Sequence, residues 1–216
     1  FPAMGALRDV LASGAIGDVR SATCSFGQDD GAGSCSALAE TGIYCAQFLL
    51  WVFGPDAPPT VRGVSYDLNE GSGLDQHVAA LLEFPGGCTA TFECSLCSTS
   101  PRTATICGTK GVIRVAYPFW CPTSFTIQTM TGPASQQWGE EVTHTFPLPE
   151  VPGPFNFVNS EGLAYEAAEA SRCVRDGLLE SPNFDSAECL GVMRLISDIR
   201  RWLPAAAAPA DVASYL

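Results

Sequence analysis

The stretch His77–Leu96, HVAALLEFPGGCTATFECSL, decides the fold class. From Cys88 onward, Cys88, Ala90, Phe92, Cys94 and Leu96 are apolar, and Thr89, Thr91, Glu93 and Ser95 alternate with them. An alternation of period two describes a strand with one face in a core and one face polar. Pro85-Gly86-Gly87 supplies the turn, so the whole segment reads as a β-hairpin with unequal faces. A second hairpin follows, TATIC-GTKG-VIRV, with glycines on both sides of its turn. Weaker strand patterns lie near 124–129 and 142–146, so residues 60–146 read as β structure.

Helical patterns flank this region. Residues 2–12 form a helix: Pro2 suits a first turn, and Leu7, Val10 and Leu11 share a face. Val19–Phe26 is a strand, followed by the loop GQDDGAGS. Ser36–Gly54, SALAETGIYCAQFLLWVFG, reads as one helix that is apolar on nearly every side and ends at Gly54-Pro55. Beyond the Pro-rich FPLPEVPGPF, a helix over Ser160–Asp176 carries the stripe Leu163, Ala167, Ala170, Val174, with Gly177 as its C-cap. A last helix, Ser186–Leu203, turns Val192, Leu195, Ile196, Ile199 and Leu203 inward and stops at Pro204. This order predicts an α+β fold: an open, mainly antiparallel sheet with helices on one face. The other face needs a cover, and a second copy of the chain is the expected one.

Composition narrows the function. The chain has 216 residues, 46% of them hydrophobic, which suffices for a real core. A formal net charge of −12, with 11 basic residues, argues against nucleic acid and anionic membrane surfaces as partners. The longest apolar run, Phe48–Phe53, is far too short to cross a bilayer. No signal peptide is visible, and the first residue is Phe1, which suggests part of a longer chain. Ten scattered cysteines do not form a disulfide framework. The Cys94–Cys97 pair ends a strand, where a spacing of three sends the thiols to opposite faces. Free thiols, buried or half-buried, are the expectation, together with a cytoplasmic location.

Glu40 and Tyr44 are the residues whose placement asks for chemistry. On one helix they would be neighbours, with Gln47 extending the stripe. A narrow polar stripe on an apolar helix must face a wet or polar cavity, or find internal partners. Gly42, between the pair, would let a ligand or another backbone come close. Gly31–Ser36, GAGSCS, follows a strand and precedes a helix, as a dinucleotide fingerprint does, but it fails in detail because Ser36 replaces the third glycine. A loop lining a substrate pocket is the better reading. Lys110, the only lysine, reads as an exposed turn residue, and neither His77 nor His144 has a ligand-spaced partner, so no metal is expected.

Several stretches together resemble one family. GSCSALAETGIYCAQFLLWVFG, FPAMGALRDVLASGAIGDVR, CGTKGVIRV, FWCPT, FPLPEVP and GLAYEAAEASRCVRDGLLESP are similar to members of the glucose–fructose oxidoreductase, inositol dehydrogenase and rhizopine-catabolism family (Gfo/Idh/MocA). The GIYCxQ version looks most like its NADP-dependent dimeric dihydrodiol dehydrogenase and D-xylose dehydrogenase branch. The resemblance runs from Phe1 to about Leu203. It implies a two-domain enzyme of which this chain is the C-terminal part, with the N-terminal Rossmann domain missing. Residues 1–17 would be the remnant last helix of that domain, 18–204 the substrate-binding and dimerisation domain, and 205–216 a flexible tail. On that view Leu7, Val10 and Leu11 should be unusually exposed.

By the same resemblance Tyr44 is the acid/base at the substrate hydroxyl, and Glu40 stands where the family has Asp and orients the substrate. Gly33, Ser36, Gln47 and Tyr165 are expected to line the substrate site, with Glu166 a weaker candidate. The implied reaction is hydride transfer from a CH–OH group of a sugar or trans-dihydrodiol to NADP or NAD. A free tyrosine titrates near ~10 and needs a neighbouring cation to act near neutrality. The chain alone is expected to bind coenzyme poorly and to be inactive, and no cofactor-binding residue is assigned to it. Cys35 and Ser36 replace glycines of the family's loop. A non-catalytic, degenerate domain serving dimerisation or binding is the alternative.

Overall fold

The computed structural model describes residues 1–54, 57–132 and 137–204. The tail expected over 205–216 lies outside the described residues. In chain order the elements are α1 (Pro2–Ala12), β1 (Val19–Gly27), α2 (Ala37–Glu40), α3 (Gly42–Phe53), β2 (Thr60–Leu68), β3 (Asp75–Phe84), β4 (Cys88–Ser95), β5 (Ala104–Gly108), β6 (Gly111–Val115), β7 (Ser124–Met130), β8 (Trp138–Thr145), α4 (Leu163–Arg175) and α5 (Ser186–Arg200). Their hydrogen-bonded strand order is β2-β3-β4-β1-β5-β6-β7-β8. This is the expected α+β class, an open and mainly antiparallel sheet with helices on one face.

The chain divides into two compact units, one of Phe1–Thr23 with Arg102–Gly191, the other of Cys24–Pro101 with Val192 onward. In the second unit the β3–β4 hairpin pairs Val78 with Cys94, Ala80 with Phe92 and Leu82 with Ala90. All six are buried, as the alternation predicts. Each large member contributes about 1.5–3 kcal/mol by leaving water. Gly86 and Gly87 turn the hairpin at φ of 78° and 74°, a conformation that favours glycine. The opposite face carries Ala79, Leu81 and Glu83 of β3 against Glu93, Thr91 and Thr89 of β4. Leu81 on that face is 42% exposed. On α5, Val192, Leu195, Ile196 and Ile199 are buried as predicted, while Leu203, expected on the same face, lies beyond the helix end and is half-buried.

In the first unit β5–β8 form a meander, and Ala104, Ile106, Ile113, Val115 and Phe125 supply its core. Leu7 of α1 is fully buried, contrary to the expected exposure, while Val10 and Leu11 are half-buried. Phe1 packs edge-on against Tyr165 at 5.6 Å and covers Gly162. The stripe predicted to face inward on α4 is also corrected: Leu163 is 61% and Val174 79% exposed, and the buried residue is Cys173. The helix is rotated because its polar side is the one engaged. Glu169 accepts two hydrogen bonds from Arg172 and one each from Ser181 (2.7 Å) and Asn183 (3.0 Å). The Arg172 guanidinium and the Ser181 hydroxyl hold the Glu169 carboxyl well below the usual range, at about 2. Gly177 ends α4 at φ 70°, as expected of a C-cap glycine.

Candidate functional site

The single helix expected over Ser36–Gly54 is two. α2 is one turn, Ala37–Glu40, and α3 begins at Gly42. Thr41 sits between them at φ −110°, ψ −28°. Its Oγ1 donates to the Ala37 carbonyl at 3.1 Å, a back-bond that bends helices, and glycine follows it as a weak helix former. Glu40 and Tyr44 therefore stand on successive helices. Glu40, Tyr44 and Gln47 all remain on the accessible side, Tyr44 at 40% exposure. The Tyr44 ring rests against Phe26 of β1, centroids 5.2 Å apart.

The start of α2 is held by a carboxylate that the sequence pattern did not single out. Asp75, the first residue of β3, is only 5% exposed. Its Oδ2 accepts from Ser36 Oγ at 3.0 Å and from the Leu38 N–H at 2.8 Å. Ser36 Oγ in turn accepts from the Ala39 N–H at 3.2 Å, so two free N–H groups of α2 are satisfied. Hydrogen bonds to a charged group contribute about 1.5–3 kcal/mol each. The one sequence signal was an acid heading a strand of alternating apolar residues, GLDQHVAALL.

Gly42 does not open space for a ligand. A Cβ there would meet Cys94 Sγ at 2.9 Å and Leu38 Cδ1 at 3.1 Å, so the glycine brings α3 down onto β4. Burial pushes the Cys94 and Cys45 thiols well up, with neighbouring thiols adding to the effect. All ten cysteines are free, and Cys97 is half-buried beyond β4. Among the described residues no His, Cys, Asp and Glu group is arranged to hold a metal ion.

The glycine-rich turn is likewise filled from within. Gly33 has φ 83°, and a Cβ on it would meet the Asn69 side chain at 2.9 Å. Asn69 Oδ1 accepts from the Gly71 and Ser72 N–H groups at 3.0 Å, fixing its own loop, and its Nδ2 donates to Gln76 at 3.2 Å. Dinucleotide phosphates need free N–H groups at a helix start. Here the N–H groups of Leu38 and Ala39 are taken, and the buried Asp75 would repel an anion, so the turn does not fit those phosphates. Of the remaining candidates, Ser36 is buried at the start of α2, and Tyr165 belongs to the other unit. Its hydroxyl donates to the Pro147 carbonyl at 3.4 Å. Glu166 is exposed on α4, His144 stacks on Phe125 at 5.1 Å, and Lys110 is exposed in the β5–β6 turn.

These features define an α+β domain that presents an acid, a phenol and an amide on helices fixed to the sheet. Comparison with known proteins gives it a family. The GFO/IDH/MocA C-terminal domain matches residues 4–114, and the chain belongs to the Gfo/Idh/MocA family. It is 36% identical over 209 residues to a trans-1,2-dihydrobenzene-1,2-diol dehydrogenase of Homo sapiens and 35% over 210 residues to that of Sus scrofa. In both cases 93% of this chain matches 58% of the relative, so it spans little more than half their length. Among solved structures, a 3-ketoreductase from Actinomadura kijaniata in complex with NADP superposes with a TM-score of 0.70 at 18% identity, over 93% of this chain and 57% of that one. An aldose-aldose oxidoreductase from Caulobacter crescentus gives 0.63 at 16% identity, over 90% and 57%. At such identities the structural likeness establishes the fold. No helix among the described residues is long and apolar enough to cross a membrane.

The close approach at Gly42 is open to test. Gly42→Ala gains up to about 1 kcal/mol in helix propensity but overpacks a buried contact at about 1–3 kcal/mol. Urea unfolding is expected to show a net loss; stability at or above wild type would contradict the tight seat of α3 on Cys94.

Proposed function

We propose that this chain is the substrate-binding and dimer-forming C-terminal part of an NAD(P)-dependent oxidoreductase acting on a CH–OH group of a sugar or a trans-dihydrodiol. The observation that carries the reading is the accessible Glu40–Tyr44–Gln47 stripe, seated on the sheet by Asp75 and Gly42. The family and the dihydrodiol dehydrogenase relatives support it. In this assignment the Tyr44 phenol exchanges the proton of the substrate hydroxyl, the general acid–base role. The Glu40 carboxylate accepts a hydrogen bond from a neighbouring substrate hydroxyl and fixes its orientation. Gln47 offers a donor and an acceptor on the same side. Gly33 and Ser36 shape the adjoining loop, and Tyr165, engaged by Pro147 and Phe1, is left out of the assignment. NADP or NAD is the coenzyme this reading requires, and the Gly31–Ser36 turn does not fit its phosphates, so the chain alone is expected to hold it weakly.

A non-catalytic module is the second reading. Glu40 where the family has Asp, and Cys35 and Ser36 where its loop has glycines, favour it. Coenzyme-dependent oxidation of trans-dihydrobenzenediol and D-xylose by the protein isolated from its natural source separates the two. If the enzyme reading holds, Tyr44→Phe lowers turnover by at least about 100-fold. A phenylalanine variant as fast as wild type would remove Tyr44 from the chemistry, and an inert wild type would favour the module.

The dimer is assigned to the open sheet face around Leu81, where Ala79, Thr89 and Thr91 lie between Glu83 and Glu93. The reading rests on this face being open, so that a second copy of the chain can cover it. Light scattering after size exclusion is expected to show a dimer that Leu81→Asp converts to a monomer. A monomeric wild type, or a variant that stays dimeric, would move the interface elsewhere.

A further inference from the structure

The placement of Glu40 and Tyr44 leads back to Asp75 through hydrogen bonds of α2. α2 is a single turn, and a lone turn is not self-supporting because helix nucleation is unfavourable. Its start is tied to β3 through one oxygen, Asp75 Oδ2, which takes both the Ser36 hydroxyl and the Leu38 N–H. The Ser36 carbonyl then accepts the Glu40 N–H at 2.9 Å. Two hydrogen bonds therefore lead from the sheet to the backbone of Glu40. The next link is Ala37, whose carbonyl takes both the N–H of Thr41 at 2.9 Å and its hydroxyl at 3.1 Å. Thr41 leads directly into α3, which carries Tyr44.

We propose that Asp75 is the positioning residue of the Glu40–Tyr44 site, setting through Ser36 and α2 where the acid and the phenol stand. The proposal rests on the reading that this stripe acts on a hydroxyl-bearing substrate. Asp75 is buried, with Ser36 and the Leu38 N–H on one of its oxygens. Its function is geometric, and geometry is where turnover is most sensitive: a displacement of about 1 Å costs on the order of 100-fold. What this role needs is one side-chain oxygen that holds both donors, which a carboxylate or an amide oxygen can supply.

The test compares Asp75→Ala, Asp75→Asn and Ser36→Ala in the full protein, well below each variant's melting midpoint. The readouts are kcat and KM, amide exchange at Ala39, Glu40 and Thr41, and the ring-carbon resonance of Tyr44. Asp75→Ala is expected to lower kcat by about 10- to 100-fold, to speed exchange at the three amides and to shift the Tyr44 resonance. Asp75→Asn keeps an oxygen that can accept both donors and is expected to restore the resonance, the protection and most of the rate. Wild-type kcat and an unmoved resonance in Asp75→Ala would overturn the proposal, as would an asparagine variant no better than alanine. If Asp75→Ala does not fold, Ser36→Ala removes the hydroxyl half of the tie while leaving the Leu38 N–H on Asp75, and a smaller change in the same readouts is expected, with no change overturning the proposal. If wild type itself shows no turnover, the functional reading falls, and exchange with the Tyr44 resonance decides the positioning claim alone.

Discussion

A buried carboxylate ties a single helical turn to the edge of a hairpin, and the rest of the candidate site depends on that tie. Burying Asp75 is costly unless its charge is met by donors, and the chain meets it with the Ser36 hydroxyl and the Leu38 N–H. The same contacts relieve the unsatisfied N–H groups at the start of α2, so two penalties cancel. One turn further on, Gly42 lets α3 sit directly against Cys94 of β4. The polar tie and the close approach act within a few residues of each other, and between them stand Glu40 and the first turn that carries Tyr44. The stripe is accessible because everything beneath it is spoken for.

Much of the fold was legible because it follows from periodicity. The alternation in Cys88–Leu96 fixed which face of β4 is buried, and Val192, Leu195, Ile196 and Ile199 fixed the inner side of α5. Periodicity failed where a side chain's partners lie far off in sequence. Leu163, Ala167, Ala170 and Val174 form a good apolar stripe, yet the Glu169–Arg172–Ser181–Asn183 cluster turns α4 the other way. The break at Thr41 depends on one hydroxyl choosing the Ala37 carbonyl, a choice invisible in a hydropathy pattern. Leu7 was expected to be exposed as part of a remnant helix, and it is buried in the unit that also contains Arg102–Gly191.

The candidate residues were legible in a different way. Glu40, Tyr44 and Gln47 were found as polar interruptions of an apolar helix, and their accessible side agrees with that reading. Asp75 and Asn69 escaped because an isolated acid or amide carries no spacing signal; only the tertiary structure shows that one caps α2 and the other fills the turn at Gly33. The glycine turn illustrates why a motif needs its surroundings. Its sequence mimics a phosphate cradle, but its space and its nearby N–H groups are already occupied. Family membership adds the class of chemistry, while the chain matches only 58% of the length of its dihydrodiol dehydrogenase relatives.

We propose that the stripe of Glu40, Tyr44 and Gln47 receives a small polyhydroxylated or dihydrodiol substrate. Amide NMR shift mapping during titration with D-xylose and with trans-dihydrobenzenediol tests it without requiring turnover. Saturable shifts confined to residues 33–47 and the neighbouring Asn69 loop are expected. Shifts elsewhere with that region silent, or none at millimolar ligand, would contradict it.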